Sequence, residues 1–307
     1  MATKRTVVPF GEPYGYPQLK RDVASLARRY PFVRVESIGR SVMGKELYAV
    51  KVGEGERSVF INGAFHANEW ITSPLALRIA EDAARAIDEG ETWGGVDAAA
   101  LLGDVALWVV PMVNPDGVEL ALRGAGADHP HRAKLLAWNG GSEDFSGWKA
   151  NVRGVDLNDQ FPAYWEEERD RRAVGGPGPR DYTGEAPLTE PEAAAVAAFT
   201  EARAFDLVLA FHTQGEEIYW NYRDREPPEA EALARAFAEA SGYRAVKLTG
   251  SDAGYKDWFI YRYGRPGFTV EAGLGANPLP TSQLPAMHRA CSAIVARALL
   301  ASATRNC

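Results

Sequence analysis

Short runs of mostly apolar residues recur along this chain of 307 residues, and they constrain its fold more than any other feature. Val59 to Ala64, Val105 to Val113 and Asp206 to Phe211 are apolar at nearly every position, which is typical of strands covered on both faces. The other candidate strands are Val33 to Ile38, Leu47 to Val52, Ala245 to Leu248 and Gly267 to Glu271.

Helical patterns fill the gaps between these runs. One helix is expected to begin at Thr189, where Thr-Glu-Pro-Glu supplies an N-cap, an early proline and a glutamate three positions on. The others cover about Pro17 to Tyr30, Ser73 to Ile87, Pro228 to Ser241 and Leu284 to Ala303. Strands that alternate with helices predict an α/β sheet with helices on both faces, although the pattern does not give the strand order.

The segment from Ala121 to Pro187 breaks this alternation. It is rich in Gly, Pro and Trp, and it contains the charge run EEERDRR at 166–172, which we expect to be solvated. A loop-rich stretch of this length inside a compact domain is usually functional. We therefore expect residues 1–307 to form a single domain, with residues of about 121–187 as excursions from it and not as a linker.

Charge and composition argue against several classes of protein. The net charge of -7 does not suit phosphate binding, so no nucleic-acid partner is expected. No apolar stretch reaches the ~18 residues that span a bilayer, and no apolar segment follows the first basic residues as in a secretory signal. Cys291 and Cys307 form no disulfide framework; Cys291 is expected to be a buried thiol, and the cytoplasm is the default location.

Three of the predicted strands end in residues that bind metals or move protons. His66 and Glu69 follow VFINGA, His212 follows DLVLAF, and Glu271 ends GFTVE. Taken singly, each has an ordinary explanation: a hydrogen-bonded core or loop histidine, a helix cap or a surface acid. Ligands of open α/β sheets, however, bind beyond the carboxyl ends of the strands, where these side chains would meet.

Their combination is informative. Two histidines and one glutamate with an open fourth position form a catalytic zinc set. A three-residue spacing lets His66 and Glu69 converge if the backbone between them is a helical turn. The chain has no HExxH motif, so this alternative zinc arrangement is excluded.

With these residues in place, the chain resembles the family of zinc metallocarboxypeptidases, and within it the γ-D-glutamyl-meso-diaminopimelate peptidases of bacterial cell-wall metabolism. HANEW is similar to the family's HxxE zinc motif, FHTQG to its later zinc histidine and FTVEAG to the segment with its general base. NPDG, at Asn114 to Gly117, resembles a structural turn of the family. The similarity runs from PQLKRDVASLARRYP nearly to the end of the chain.

The resemblance implies a fold, a cofactor and a set of roles. The fold would be a mixed, mostly parallel twisted sheet, and residues of about 121–187 would bind substrate. One Zn²⁺ ion would be held by His66, Glu69 and His212, with Glu271 as the catalytic base. In WKANVRGVDLND, Asp156 matches the carboxylate that orients the first zinc histidine.

Arg153, in the same segment, falls near the family arginine that polarises the scissile carbonyl. The length of this loop varies, and the alternative explanation is a surface arginine. We expect the functional role.

Two departures from the family concern the substrate pocket. Ordinary members follow the asparagine at Asn158 with an arginine that clamps the substrate's terminal carboxylate, whereas this chain has Asp159, as is usual in the diaminopimelate-cleaving subgroup. Lys256 stands where the family sets side-chain preference. We hypothesise that Lys256 pairs with the distal carboxylate of meso-diaminopimelate, and that Asp159 or Asp252 pairs with an ammonium. Solvated loop residues are the alternative.

A third departure concerns the mobile tyrosine that caps the substrate in many carboxypeptidases. Thr249 occupies its position, and Tyr255 and Tyr219 could partly replace it.

The resemblance as a whole implies zinc-dependent hydrolysis of the γ-D-glutamyl-meso-diaminopimelate bond in small murein peptides. The alternatives are an ordinary metallocarboxypeptidase, a deacylase or amidase on the same fold, and an inactive peptide-binding module.

Overall fold

A large mixed sheet organises the protein, whose computed structural model describes residues 6–304, so that Cys307 lies outside the described residues. Within that range the sheet has eight strands in the order β1-β2-β6-β3-β7-β10-β8-β9, and β4 and β5 form a small separate ribbon. The strands are β1 Arg34–Arg40, β2 Glu46–Val52, β3 Arg57–Gly63, β4 Thr92–Trp93, β5 Val96–Asp97, β6 Val105–Val110, β7 Leu207–His212, β8 Glu217–Tyr219, β9 Arg244–Val246 and β10 Gly267–Glu271.

The centre of the sheet is parallel and its flanks are antiparallel. β6, β3, β7 and β10 run in the same direction, whereas β2 pairs antiparallel with β6 and β8 pairs antiparallel with β10. This is the mixed, mostly parallel sheet that the resemblance to the zinc metallocarboxypeptidases implies. The carboxyl ends of β3, β7 and β10 therefore lie side by side at one edge.

Helices cover both faces of the sheet. Val59 and Ile61 of β3 point into a core formed with α1, α2, α3, α8 and α10, while Phe60 between them packs with α7 and α9 on the other side. Alternation along a strand places these neighbours on opposite faces. The helices are α1 Tyr16–Arg29, α2 Thr72–Glu89, α3 Ala98–Asp104, α4 Pro115–Arg123, α5 Arg132–Trp138, α6 Trp165–Arg172, α7 Pro191–Arg203, α8 Ala230–Ser241, α9 Tyr255–Tyr263 and α10 Leu284–Thr304.

The predicted strands are all present, but several boundaries were wrong. The run expected to end at Val113 leaves the sheet at Val110, and the strand expected at Ala245 to Leu248 covers Arg244–Val246. β8 was missed because it is three residues long and only its central residue is buried. α9 was missed because its sequence, YKDWFIYRY, is aromatic on several sides and has no helical period.

NPDG, which precedes the segment of residues 121–187, is not simply a turn: Asn114 caps α4 by accepting a hydrogen bond from the amide of Gly117 at 3.0 Å.

The segment of residues 121–187 itself is more structured than expected, since it contains α5 and α6. The charge run EEERDRR belongs to α6, and the expectation that it is solvated was wrong for Glu168, which is 2% exposed. α6 therefore packs against the body of the protein.

Among the described helices, none combines the length and the hydrophobicity that crossing a membrane requires. Cys291 is buried in α10, as expected from the sequence.

Candidate metal centre

The parallel strands bring the sequence-predicted residues to one edge of the sheet. Gly63 at the end of β3 pairs with Phe211, and His212 at the end of β7 pairs with Glu271 at the end of β10. His66 follows β3 by three residues. The strand-end argument from the sequence thus describes the geometry correctly.

A short 3₁₀ helix turns His66 and Glu69 towards each other. The helix covers Ala67–Glu69, and His66 lies at its N-cap. The amide of Ala67 donates to the carbonyl of Lys149 at 2.9 Å, which ties this turn to the segment that carries Asp156. The three-residue spacing therefore works as expected, with both side chains on the same side of the turn.

Three buried side chains converge at this edge. The Nδ1 atoms of His66 and His212 lie 3.2 Å apart, and the two oxygens of Glu69 lie 2.9 and 3.0 Å from them. A tetrahedral zinc ion with Zn–N bonds of about 2.0–2.1 Å places neighbouring nitrogens about 3.3 Å apart. The residues present therefore fit a zinc ion, and they form a His, Glu, His group that can hold one metal ion.

Asp156 fixes the orientation of His66. Its Oδ1 lies 3.0 Å from Nε2 of His66, which leaves Nδ1 directed at the ligand cluster. Burial alone would raise the pKa of Asp156, but the charge of His66 and that of Lys149 hold it well below its usual range. Burial lowers the pKa of His66, and Glu69 and Asp156 outweigh this and raise it to about 9. Such a carboxylate partner raises the basicity of a metal ligand.

Glu271 stands beside the ligands and is not one of the three. It is partly accessible from the cleft, and its strand neighbour is His212. Burial raises the pKa of Glu271 to about 8, and the charge of Glu69 raises it as well. A carboxylate whose pKa lies near neutrality can accept a proton and return it, as a general acid–base catalyst must.

A cleft of about 450 Å³ opens over this centre. Lys149 and Arg180 line it together with His66, Glu69 and Glu271, and neither cation was named as a site residue from the sequence. Lys149 Nζ lies 4.0 Å from Oδ2 of Asp156. Burial lowers the pKa of Lys149, but the charges of Asp156 and Glu69 outweigh burial and raise it, so that this lysine is a cation in the cleft.

Arg153 lies outside this cleft. Its side chain is 52% exposed, and it faces Glu190 at 3.6 Å. The expectation that Arg153 reaches the scissile carbonyl is corrected by this placement: Lys149, in the same WKANVRGVDLND segment, is the cation beside the metal ligands. The sequence contained both cations, but the choice between them depended on the path of the loop.

Two predicted pocket acids are already paired with arginines. Asp159 is held by Arg172, whose Nε and Nη2 lie 2.9 and 3.0 Å from its two oxygens. Asp252 accepts hydrogen bonds from Tyr222 at 2.8 Å and from Arg223 at 2.7 Å. Both carboxylates are buried, so an ammonium group of a substrate would compete with these partners.

Lys256 and Thr249 lie near a second cavity of about 440 Å³, which Thr249, Asn221 and Asp252 help to line. Lys256 is 5% exposed, and its Nζ donates to the carbonyl of Asn221 at 2.8 Å and lies 2.5 Å from Oδ1 of Asp257. Lys256 is therefore paired within the protein, and it lies behind Asn221 and Tyr222, which line the cavity.

Tyr255 does not cap the cleft. It is fully buried, its hydroxyl lies 2.9 Å from that of Thr200, and its ring stacks on Phe65. The suggestion that Tyr255 could partly replace a mobile tyrosine is corrected by this placement, because its position at the start of α9 points it into the core. Tyr219, in contrast, lines the cleft.

Asn158 positions the start of α9. Its Oδ1 accepts a hydrogen bond from the backbone amide of Tyr255 at 3.2 Å.

Comparison with known proteins decides the family. The profile described as zinc carboxypeptidase matches residues 19–290. The chain belongs to the zinc carboxypeptidase family. It is a metallopeptidase, and zinc is the metal that the family and the ligand set together indicate.

A curated relative agrees with this assignment, and two solved structures have a similar fold. Gamma-D-glutamyl-L-diamino acid endopeptidase 1 of Lysinibacillus sphaericus is 47% identical over 276 residues, which is 90% of this chain and 69% of the relative. The fold is similar to that of thrombin activatable fibrinolysis inhibitor, with a TM-score of 0.79 at 21% identity, covering 98% of this chain and 76% of the other. Murein-tripeptide amidase MpaA from Escherichia coli O157 gives 0.52 at 21% identity, covering 86% and 91%.

Proposed function

We propose that this protein hydrolyses the γ-D-glutamyl-meso-diaminopimelate amide bond of small murein peptides. One observation carries the proposal: a relative named for cleavage at γ-D-glutamyl-diamino acid bonds is 47% identical over 90% of the chain, a range that contains the whole site. The replacement of the carboxylate-clamping arginine by Asp159 supports it, because an acid saturated by Arg172 offers no cation to a terminal carboxylate at that position.

The decisive assay compares two substrate classes with zinc-loaded protein. We expect L-Ala-γ-D-Glu-meso-diaminopimelate to be cleaved to L-Ala-D-Glu and free diaminopimelate, with N-blocked dipeptides cleaved far more slowly. Product identification by mass spectrometry separates the two activities. Preferential release of C-terminal amino acids from the dipeptides would favour the ordinary metallocarboxypeptidase instead.

Glu271 and Lys149 have different roles in the proposed hydrolysis. Zinc, when bound, supplies a Lewis acid that favours ionisation of water and polarises a carbonyl. Glu271 accepts the proton of the attacking water and delivers it to the leaving amine of diaminopimelate. Lys149 also lines the cleft, and its charge stabilises the negative charge that develops on the scissile carbonyl oxygen.

Replacement of the two cations in WKANVRGVDLND distinguishes their roles. Lys149→Met is expected to lower kcat about 10²–10³-fold, because it removes a charged group that faces the oxyanion. Arg153→Met serves as the matched control, since its side chain lies outside the cleft, and kcat should change little. Steady-state kinetics on the tripeptide measures both. If Arg153→Met lowers kcat more than Lys149→Met does, Arg153 and not Lys149 stabilises the oxyanion.

Lys256 gives a prediction about stability. Lys256→Met leaves the carboxylate of Asp257 buried without its cation, which commonly costs about 3–5 kcal/mol. Denaturant unfolding should show this loss, and the double variant with Asp257→Asn should regain much of it. If the single variant is as stable as the parent, Lys256 is not needed by its internal partner and is available to a substrate carboxylate, as the sequence suggested.

The remaining assignments complete the proposal. Residues of about 121–187 would serve as the substrate-binding segment of one zinc peptidase domain over 1–307, and Lys149 and Arg180, which both belong to that segment, support this role. Location in the cytoplasm stays a prediction from the sequence. The groups that hold the distal end of diaminopimelate would lie at the second cavity, next to Thr249 and Asp252.

A further inference from the structure

Arg180 is a cation that lines the cleft and has no role in the hydrolysis described under the proposed function. It lines the cleft with the metal ligands, and its side chain is 58% exposed. The ion pair recorded for it among the described residues joins Nε to Oδ2 of its neighbour Asp181 at 3.7 Å. A contact this long and exposed contributes little, so the guanidinium is available to a ligand.

The backbone on both sides of Arg180 is fixed to the metal centre. The carbonyl of Pro179 accepts the amides of Lys149 at 2.8 Å and Ala150 at 3.0 Å, and the carbonyl of Tyr182 accepts the amide of Asp156 at 2.8 Å. Arg180 therefore stands at a defined place beside the ligands, although its side chain reaches into solvent. A flexible cation on a rigid base suits recognition of a charged group of the substrate.

Asp181 strengthens this arrangement. It adopts a left-handed backbone conformation with φ of 67°, which aspartate tolerates better than most residues. Its Oδ1 lies 3.3 Å from Nη1 of Arg172, so that a partner on α6 holds the turn that presents Arg180. The ion pairs of α6 thus fix the outer wall of the cleft as well as Asp159.

Arg180 is the less compensated of the two cations that line the cleft. Glu69 and Glu271 together offset a divalent metal ion. Lys149 faces the buried carboxylate of Asp156 at 4.0 Å, whereas Arg180 faces the more exposed carboxylate of Asp181 at 3.7 Å. Lys149, the more buried cation, suits the oxyanion that develops at the scissile carbonyl, and Arg180 suits a second negative group further along the substrate.

A γ-linked glutamyl residue supplies such a group. Its α-carboxylate is free and stands four carbon–carbon bonds from the scissile carbonyl carbon, about 5 Å in an extended conformation. We infer that Arg180 binds this α-carboxylate and so selects γ-linked glutamyl substrates; the inference rests on the proposed function. Guanidinium groups suit the recognition of carboxylates because they can donate two parallel hydrogen bonds.

The test uses a substrate pair that differs only at this carboxylate. L-Ala-γ-D-Glu-meso-diaminopimelate is compared with its D-isoglutaminyl analogue, in which the α-carboxylate is a carboxamide. The parent protein is expected to favour the carboxylate by about 10–100-fold in kcat/KM. Arg180→Gln should lose that factor on the carboxylate substrate alone, and Arg180→Lys should keep part of it. The control is Arg235→Gln, which removes an exposed arginine of α8 whose partner is Glu231.

A binding measurement gives an independent readout. Inhibition by the product L-Ala-D-Glu should weaken in Arg180→Gln by a similar factor, while inhibition by L-Ala-D-isoglutamine should not change. Equal cleavage of both tripeptides by the parent protein, or equal losses on both in Arg180→Gln, would overturn the inference and leave the proposed function in place. If the parent protein cleaves neither tripeptide, both fail together.

Discussion

Glu271→Gln is expected to lower kcat on the murein tripeptide about 10³–10⁴-fold while the protein still binds one equivalent of zinc. The amide keeps the size of the side chain but accepts a proton far less readily, and Glu271 is the acid of the cleft that the ligand cluster does not use. Turnover and zinc content are measured on the same preparation. Because His66, Glu69 and His212 are unchanged, the metal should remain.

The matched control is the same substitution one strand away. Glu217 of β8 pairs with Glu271 in the antiparallel ladder, but its carboxylate is bonded to Tyr219 and Arg244. Glu217→Gln should therefore have a small effect by comparison. If Glu271→Gln retains turnover with full zinc occupancy, the catalytic base has been assigned to the wrong residue.

The residues around the metal could be predicted because each one follows a buried strand. An apolar run fixes where the strand lies, and parallel neighbours bring their carboxyl ends together, so His66, His212 and Glu271 required no knowledge of any loop. The role predicted for Arg153 was corrected for the opposite reason. Its position depends on the path of a loop, and that path places Lys149 in the cleft instead.

The ion pairs of α6 show another limit of the sequence. EEERDRR looks like a solvated surface because its residues are charged, yet Arg172 pairs with Asp159, which precedes it by thirteen positions, and Arg171 pairs with the distant Asp252. Charge composition does not reveal such partners, since the pairing depends on tertiary contacts. For the same reason, the sequence suggested that Asp159 and Asp252 were free to bind a substrate.

The strands also differ in how well the sequence predicts them. The long apolar strands of the centre were identified with errors of a few residues at their ends, as for Val105–Val110. β8 has three residues and is held in the sheet by pairing with β9, which begins at Arg244, and with β10, which begins at Gly267, so its partners are distant in sequence. Local pattern therefore predicts the buried central strands and the edge strands β1 and β9, but it misses β8, whose three residues are too few to show a period.

Removal of zinc is the second change with a large expected effect. Dialysis against a chelator should abolish hydrolysis and lower the melting temperature, because two imidazoles and a carboxylate are buried around one metal position. A ligand that binds only the folded state at about a thousandfold excess over its Kd stabilises by ~4 kcal/mol, which corresponds to roughly 6 °C for a chain of this size. Calorimetry with and without added zinc measures the shift.

Two histidine variants make this result specific to the proposed centre. His212→Ala should melt at the same temperature with and without zinc, since it removes one of the three ligands. His288→Ala is the control: His288 lies 2.6 Å from Asp82, away from the cleft, so the full zinc-dependent shift should persist. A shift that survives in His212→Ala would place the metal elsewhere. Such a result would contradict the proposed centre, in which the carboxylate of Glu69 is buried and, without a metal ion, is compensated by the two histidines, a backbone amide and the amide of Asn277.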